Sequence, residues 1–149
     1  REQYGCDKKL LFIATVLFTV LSLSSCKEDD PNPMIWEFSN YDREAISAVY
    51  SPDYVNQVAI VAPPEYSGDI TLKCTNYSQL TLNANTADGI FKSAGAGFTV
   101  IKIDDNTLKI TFEPIAAAGE NGIYETVSAD GRNGKETGMT NMSVGRVKK

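Results

Sequence analysis

Apolar and polar side chains alternate with a period of two along much of this 149-residue chain. The alternation is clearest at Thr71-Leu72-Lys73-Cys74-Thr75, Leu80-Thr81-Leu82-Asn83 and Leu108-Lys109-Ile110-Thr111-Phe112. Such a period gives each segment one apolar and one polar face, the pattern of half-buried antiparallel strands. Further strands are predicted over 36–41, 45–50, 55–62, 98–103, 122–127 and 139–147. Turn chemistry separates them at Pro63-Pro64, Ser67-Gly68-Asp69, Ala87-Asp88-Gly89, Asp104-Asp105-Asn106 and Asp130-Gly131. The clearest hairpin joins 98–103 to 107–112 through Asp104-Asp105-Asn106, whose short side chains hydrogen-bond the local backbone. Ala116-Ala117-Ala118 supports one helical turn at most before Gly119 and Gly122 close it. The last strand, 139–147, is expected near a sheet edge and open to strand addition by a partner. Short strands with turns at regular intervals predict an all-β fold, an immunoglobulin-like antiparallel β-sandwich, with a small calycin-like β-barrel as the alternative.

The first residues break this pattern. Lys8 and Lys9 precede an apolar run over 10–21 that only Thr15 and Thr19 interrupt, and Ser22, Ser24 and Ser25 close it. About 20 predominantly apolar residues are needed to cross a bilayer as a helix, so the run fits an export signal better than a span. Leu23-Ser24-Ser25-Cys26 resembles the lipobox of bacterial lipoproteins. That resemblance implies cleavage before Cys26, a diacylglyceryl group on its thiol and acylation of the new amino group. Two or more chains hold a protein stably on a membrane where one does not. Lys27, Glu28, Asp29 and Asp30 then occupy the position where lipoproteins of the Bacteroidota carry a surface-export signal. The resemblance implies a lipid anchor in the outer membrane and display at the cell surface; by itself such a charge run is a solvated linker. Pro31 and Pro33 stiffen this stretch, which reaches ~30 Å at most before Trp36. The expected division is 1–25 signal peptide, 26–35 lipidated tether and 36–149 sandwich. No Met precedes Met34, and residues 1–7 form a polar extension read as a truncated or misplaced start without structural role.

Beyond the signal the chain is acidic, with eleven basic against seventeen acidic side chains. An acidic surface repels phosphates, so no nucleic-acid partner is expected. Lys73, Lys92, Lys102 and Lys109 are scattered, and the only basic cluster, Arg146, Lys148 and Lys149, reads as a frayed, solvated end. With Cys6 in the discarded segment and Cys26 lipidated, Cys74 is the remaining thiol. It falls in register with Ile70 and Leu72, which predicts a buried, inert side chain.

From Gly68 to Pro114 the chain resembles the small immunoglobulin-like modules of Bacteroidota surface lipoproteins. The resemblance rests on Gly-Asp-Ile-Thr-Leu-Lys-Cys-Thr-Asn, the loop Ala94-Gly95-Ala96-Gly97-Phe98, and Asn-Thr-Leu-Lys-Ile-Thr-Phe. It implies binding, spacing or presentation and transfers no ligand residue.

The candidate chemistry is thin. Without histidine, Ser-His-Asp and Cys-His systems and histidine-ligated zinc are excluded in their usual form. Gly-rich 94–97 lacks the Lys-Ser or Lys-Thr of a phosphate loop and is read as a turn. Asp104 and Asp105 at a hydrated tip lack a calcium-loop pattern, and Glu113 and Glu125 fall on separate strands. No enzyme activity, metal or cofactor is expected. Aromatic faces offer stacking platforms for sugars. Trp36, alternating with Phe38, is assigned to the core, whereas Tyr54 and Tyr66 flank loops and are the candidate ligand-contacting residues. The expected function is a non-catalytic surface module that binds a glycan or protein, with a small envelope enzyme or enzyme inhibitor as the alternative.

Overall fold

The computed structural model describes residues 33–51, 57–82 and 89–148, and among these described residues ten strands form two five-stranded sheets. The first sheet has the order β1 (Trp36–Ser39), β4 (Gly68–Cys74), β8 (Thr107–Phe112), β7 (Phe98–Asp104) and β6 (Ile90–Lys92). The second has the order β2 (Ser47–Ser51), β3 (Gln57–Ala62), β10 (Glu136–Arg146), β9 (Ile123–Asn133) and β5 (Thr81–Leu82). The sheets do not close on one another, so the expected β-sandwich is found and the barrel is not. One pair departs from the antiparallel expectation: β3 and β10 run parallel, with Asn141 opposite Gln57 and Arg146 opposite Ala62.

The period-two pattern works as predicted. Ile70, Leu72 and Cys74 of β4 and Leu108, Ile110 and Phe112 of β8 point inward and are fully buried. Val58 and Ile60 of β3, Met142 and Val144 of β10, and Val127 and Ala129 of β9 meet them from the other sheet. Burying each such side chain contributes about 1.5–3 kcal/mol. The outward positions differ between the sheets. On the first, Glu37, Asp69, Lys73, Lys92 and Lys109 alternate with the core residues, and Glu37 lies opposite Lys73. On the second, β2, β3, β9 and β10 turn out mainly Ser, Thr, Val, Ala and Asn.

All strands run between two ends. The near pole is where the described chain begins. There Met34 is fully buried, Ile35 N–H donates to Asn76 Oδ1 at 2.8 Å, and Asn76 Nδ2 donates to the Pro33 carbonyl at 2.7 Å. Packing therefore extends back to Pro33. Trp36, in the core as expected, donates from Nε1 to Thr140 Oγ1 at 2.8 Å. The β7–β8 hairpin tip also lies at this end, where the Asp105 and Asn106 carbonyls accept from Leu80 N–H and Cys74 N–H.

Three expectations are corrected. Asp130-Gly131 is no turn; it lies inside β9, and the chain reverses at Gly134-Lys135 instead. Gly131 pairs with Gly138 across the hairpin, and the pair makes room for Tyr77 and Met34. A Cβ on Gly131 would stand 2.8 Å from both Tyr77 Cβ and Met34 Cε. The segment 139–147 is not at an edge: β10 lies between β3 and β9, so its backbone is closed to strand addition. Residues 116–118 form no helical turn.

Candidate functional site

The far pole carries the loops over 40–46, 63–67, 93–97 and 113–122, together with the end of β10. Two charged side chains organise it. Arg146 continues the inward register of Thr140, Met142 and Val144, so its side chain enters the core rather than solvent, and it is fully buried. This overturns the reading of a frayed, solvated basic end for Arg146, whereas Lys148 is exposed and Lys149 lies outside the described residues.

The Arg146 guanidinium is held by main-chain carbonyls. Nε donates to Ala96 O at 2.9 Å, Nη1 to Pro63, Pro64 and Tyr66 O at 2.6, 3.0 and 3.2 Å, and Nη2 to Gly97 O at 3.0 Å and to Glu113 O. Its carbon lies 4.8 Å from the centroid of the Phe112 ring. Guanidinium has five N–H donors in a rigid fork, so six acceptors require sharing at Nη1. The acceptors come from three separate loops, and one side chain thereby fixes all three. Burial lowers the Arg146 pKa, an effect that the charge of Glu65 opposes. Arginine nonetheless stays protonated.

Glu125 is the second organiser. It lies on the inward side of β9 and reaches across to the other sheet, where its Oε2 accepts from Ser93 Oγ at 2.7 Å, Ala94 N at 2.9 Å and Gly95 N at 3.1 Å. Ser93 Oγ accepts in turn from Ala96 N at 2.7 Å. The glycine-rich segment is thus a turn, as predicted, with the protein's own carboxylate on its amides. Burial raises the Glu125 pKa, but bonds from Ser93, Gly95, Ala94 and Ala96 outweigh it and leave the group below its ordinary value.

Above the Arg146 cage lies an open depression of about 460 Å³. Pro64, Ile115 and Ala118 are among its apolar walls, and Glu65, Glu120 and Lys148 are its charged groups. Ile115 N–H donates to Pro64 O at 2.8 Å, so the floor is tied to the same carbonyls that Arg146 grips. Glu65 and Glu120 are exposed at its rim.

Of the residues singled out from sequence, Cys26, Lys27, Glu28, Asp29, Asp30 and Tyr54 lie outside the described residues. Tyr66 is half-buried at the far pole, its ring edge-on to Phe112 at 6.2 Å. Burial raises its pKa, as do Asp42 and Asp69, while a backbone bond at Asp42 lowers it. Cys74 is fully buried as expected, and burial pushes its thiol pKa up against bonds from Asn76, Tyr77 and Ile35. Asp104 sits at the hairpin tip and accepts from Asn106 N at 3.0 Å; bonds from Asn106 and Thr107 lower its pKa. Asp105 reaches Lys102 at 3.9 Å. Among the described residues, no three His, Cys, Asp or Glu side chains come together as a metal site.

No family model, curated protein or solved structure matches this chain.

Proposed function

We propose that this chain is a lipid-anchored module of the bacterial outer membrane, displayed at the cell surface, that binds a partner without catalysis. The anchor is supported by Leu23-Ser24-Ser25-Cys26 and the charged stretch after it. The described chain enters at the near pole, so an anchor ahead of Pro33 turns the far-pole loops away from the membrane. Among the described residues, no helix is long and apolar enough to cross a membrane.

One observation carries the non-catalytic reading: Arg146 and Glu125, the two most fully engaged charged groups of the far pole, are bound to loop backbone. They hold a surface in shape instead of facing a cavity as an acid and a base. Metabolic labelling with a fatty-acid analogue tests the anchor, with label expected in the wild type and absent from Cys26→Ala. Label retained in the variant rejects lipidation at Cys26. Protease shaving of intact cells is expected to remove the wild-type domain, and resistance rejects surface display.

A second reading, a small envelope enzyme or inhibitor, has Glu65 and Glu120 at the rim of one depression in its favour. It requires turnover or inhibition that Glu120→Gln abolishes.

A further inference from the structure

The outer face of the second sheet carries its β9 charges, Asp130 and Arg132, toward the near pole, and toward the far pole it presents an uncharged strip with an exposed aromatic ring over a backbone that lacks a side chain. Tyr124 of β9 is the cross-strand neighbour of Gly145 of β10. A Cβ on Gly145 would collide with the Ile123 carbonyl oxygen and stand 2.6 Å from Tyr124 Cδ1 and 3.0 Å from Cγ, so that carbonyl and the Tyr124 ring together occupy the place that a side chain on Gly145 would fill. Gly145 is buried beneath it, while Tyr124 remains 50% exposed. A tyrosine with one side on the sheet and half its surface in water is a platform for the apolar face of a flat ligand.

The residues that follow along the same face supply hydrogen-bonding groups without charge. Thr126 pairs with Ser143, and Ser128 pairs with Asn141, in successive outward rows below Tyr124. Ser128 Oγ donates to Asn141 Oδ1 at 2.8 Å, which turns the amide oxygen of Asn141 toward its neighbour and leaves its NH2 group as a donor. Outward rows repeat every ~6.8 Å along a strand, so the strip from Tyr124 to Ser128 is ~14 Å long. That suits several linked rings better than one.

We propose that this strip, led by Tyr124, is a binding site for a neutral oligosaccharide. Sugar rings present an apolar face to tyrosine and a rim of hydroxyls to Thr126, Ser143 and Asn141, and a neutral chain meets no repulsion from an acidic protein. The same strip offers no cation to an anionic glycan. Tyr124 thus takes the stacking role that the sequence pattern assigned to Tyr54 and Tyr66. The proposal rests on the reading of the chain as a binding module, to which it gives a ligand class, and does not depend on the lipid anchor.

The test is calorimetric titration of the full chain, in a polyoxyethylene detergent free of sugar, with cellohexaose, xylohexaose, mannohexaose and maltohexaose. At least one is expected to bind the wild type, to bind Tyr124→Ala at least about tenfold more weakly, and to bind Tyr124→Trp undiminished. Thr126→Lys, at an exposed position outside the Tyr124–Gly145 pair, is expected to block the strip without disturbing the fold. Failure of all four sugars to bind overturns the proposal, as does unchanged binding by Tyr124→Ala or Thr126→Lys. A concentration-dependent dimer that Thr126→Lys abolishes also overturns it, since the face then belongs to a second copy. Sugar recovered intact after incubation supports both readings. Cleaved sugar, with binding still lost in Tyr124→Ala, rejects the non-catalytic module and keeps the platform.

Discussion

The two ends of this sandwich hold their loops by opposite physics. At the near pole Met34, Trp36 and Tyr77 are buried against Thr140 and the Gly131–Gly138 pair, and the bonds from Trp36 to Thr140 and from Ile35 to Asn76 are neutral, while the charged Asp104 and Asp105 stand apart at the exposed hairpin tip. At the far pole one buried cation and one partly buried carboxylate bind the backbone of several loops. Close packing resists a change of shape, whereas charge-assisted hydrogen bonds resist loss of a donor or acceptor and respond to pH. The first end should therefore be sensitive to volume and the second to charge.

The sharpest way to break this contrast is Arg146→Met. Methionine fills much of the space but makes none of the six bonds, leaving Ala96 O and other buried carbonyls short of donors. A loss of about 3 kcal/mol is expected in urea unfolding. Arg146→Lys keeps the charge but not the fork, and should lose about half as much. Equal stability of Arg146→Met and wild type would mean that the cage contributes nothing. The complementary near-pole change is Gly131→Ala, where Tyr77 Cβ, an atom close to the backbone, stands in the way of the new methyl group. Overpacking of this kind costs about 2 kcal/mol and should not vary between pH 4 and pH 7.

Glu125→Gln gives a smaller effect, about 1 kcal/mol at neutral pH. Its pH dependence is more telling than its size. The Glu125 pKa in the folded protein lies below the ordinary 4.5. Its contribution is therefore complete above that value and is lost as the pH falls through the lowered one. The gap between wild type and Glu125→Gln should be constant above pH 4.5 and close in more acid solution. A gap that widens on acidification would reverse the assigned sign. Smallest in energy is the behaviour of Cys74, buried and with its pKa raised. The native protein should resist iodoacetamide at neutral pH, and rapid modification would show that this end opens readily.

Much of the core was legible because strands with one buried face leave a period of two. β8 was read to the residue at Thr107–Phe112, and Cys74 and Trp36 were placed inside from their registers alone. The errors came from features that such a period does not carry. Three-residue β6 is too short to show alternation. Asp130-Gly131 has turn composition, yet Gly131 is small because Tyr77 packs on it, a contact between residues 54 positions apart. The central place of β10 depends on parallel pairing with β3, about 80 residues earlier, which neither segment signals locally.

The far pole was the least legible region. Arg146 resembled part of a terminal basic cluster, and its acceptors are carbonyls that every residue possesses. One signal was present: Met142, Val144 and Arg146 share a register, so an arginine stood where the strand pattern required an inward residue. Glu125 likewise continues the inward positions of Val127 and Ala129. Tyr124 was one tyrosine among seven until Gly145 was seen beneath it.

Native-state hydrogen exchange of wild type and Arg146→Lys tests the independence of the two ends most directly. The amides of Tyr66, Glu113 and Ile115 at the far pole, and of Cys74, Thr75 and Leu80 at the near pole, each donate to a defined carbonyl and serve as reporters. In the variant the far-pole set is expected to exchange about tenfold faster than its loss of global stability explains, while the near-pole set follows that loss alone. Equal excess acceleration of both sets, or none in either, would contradict the account.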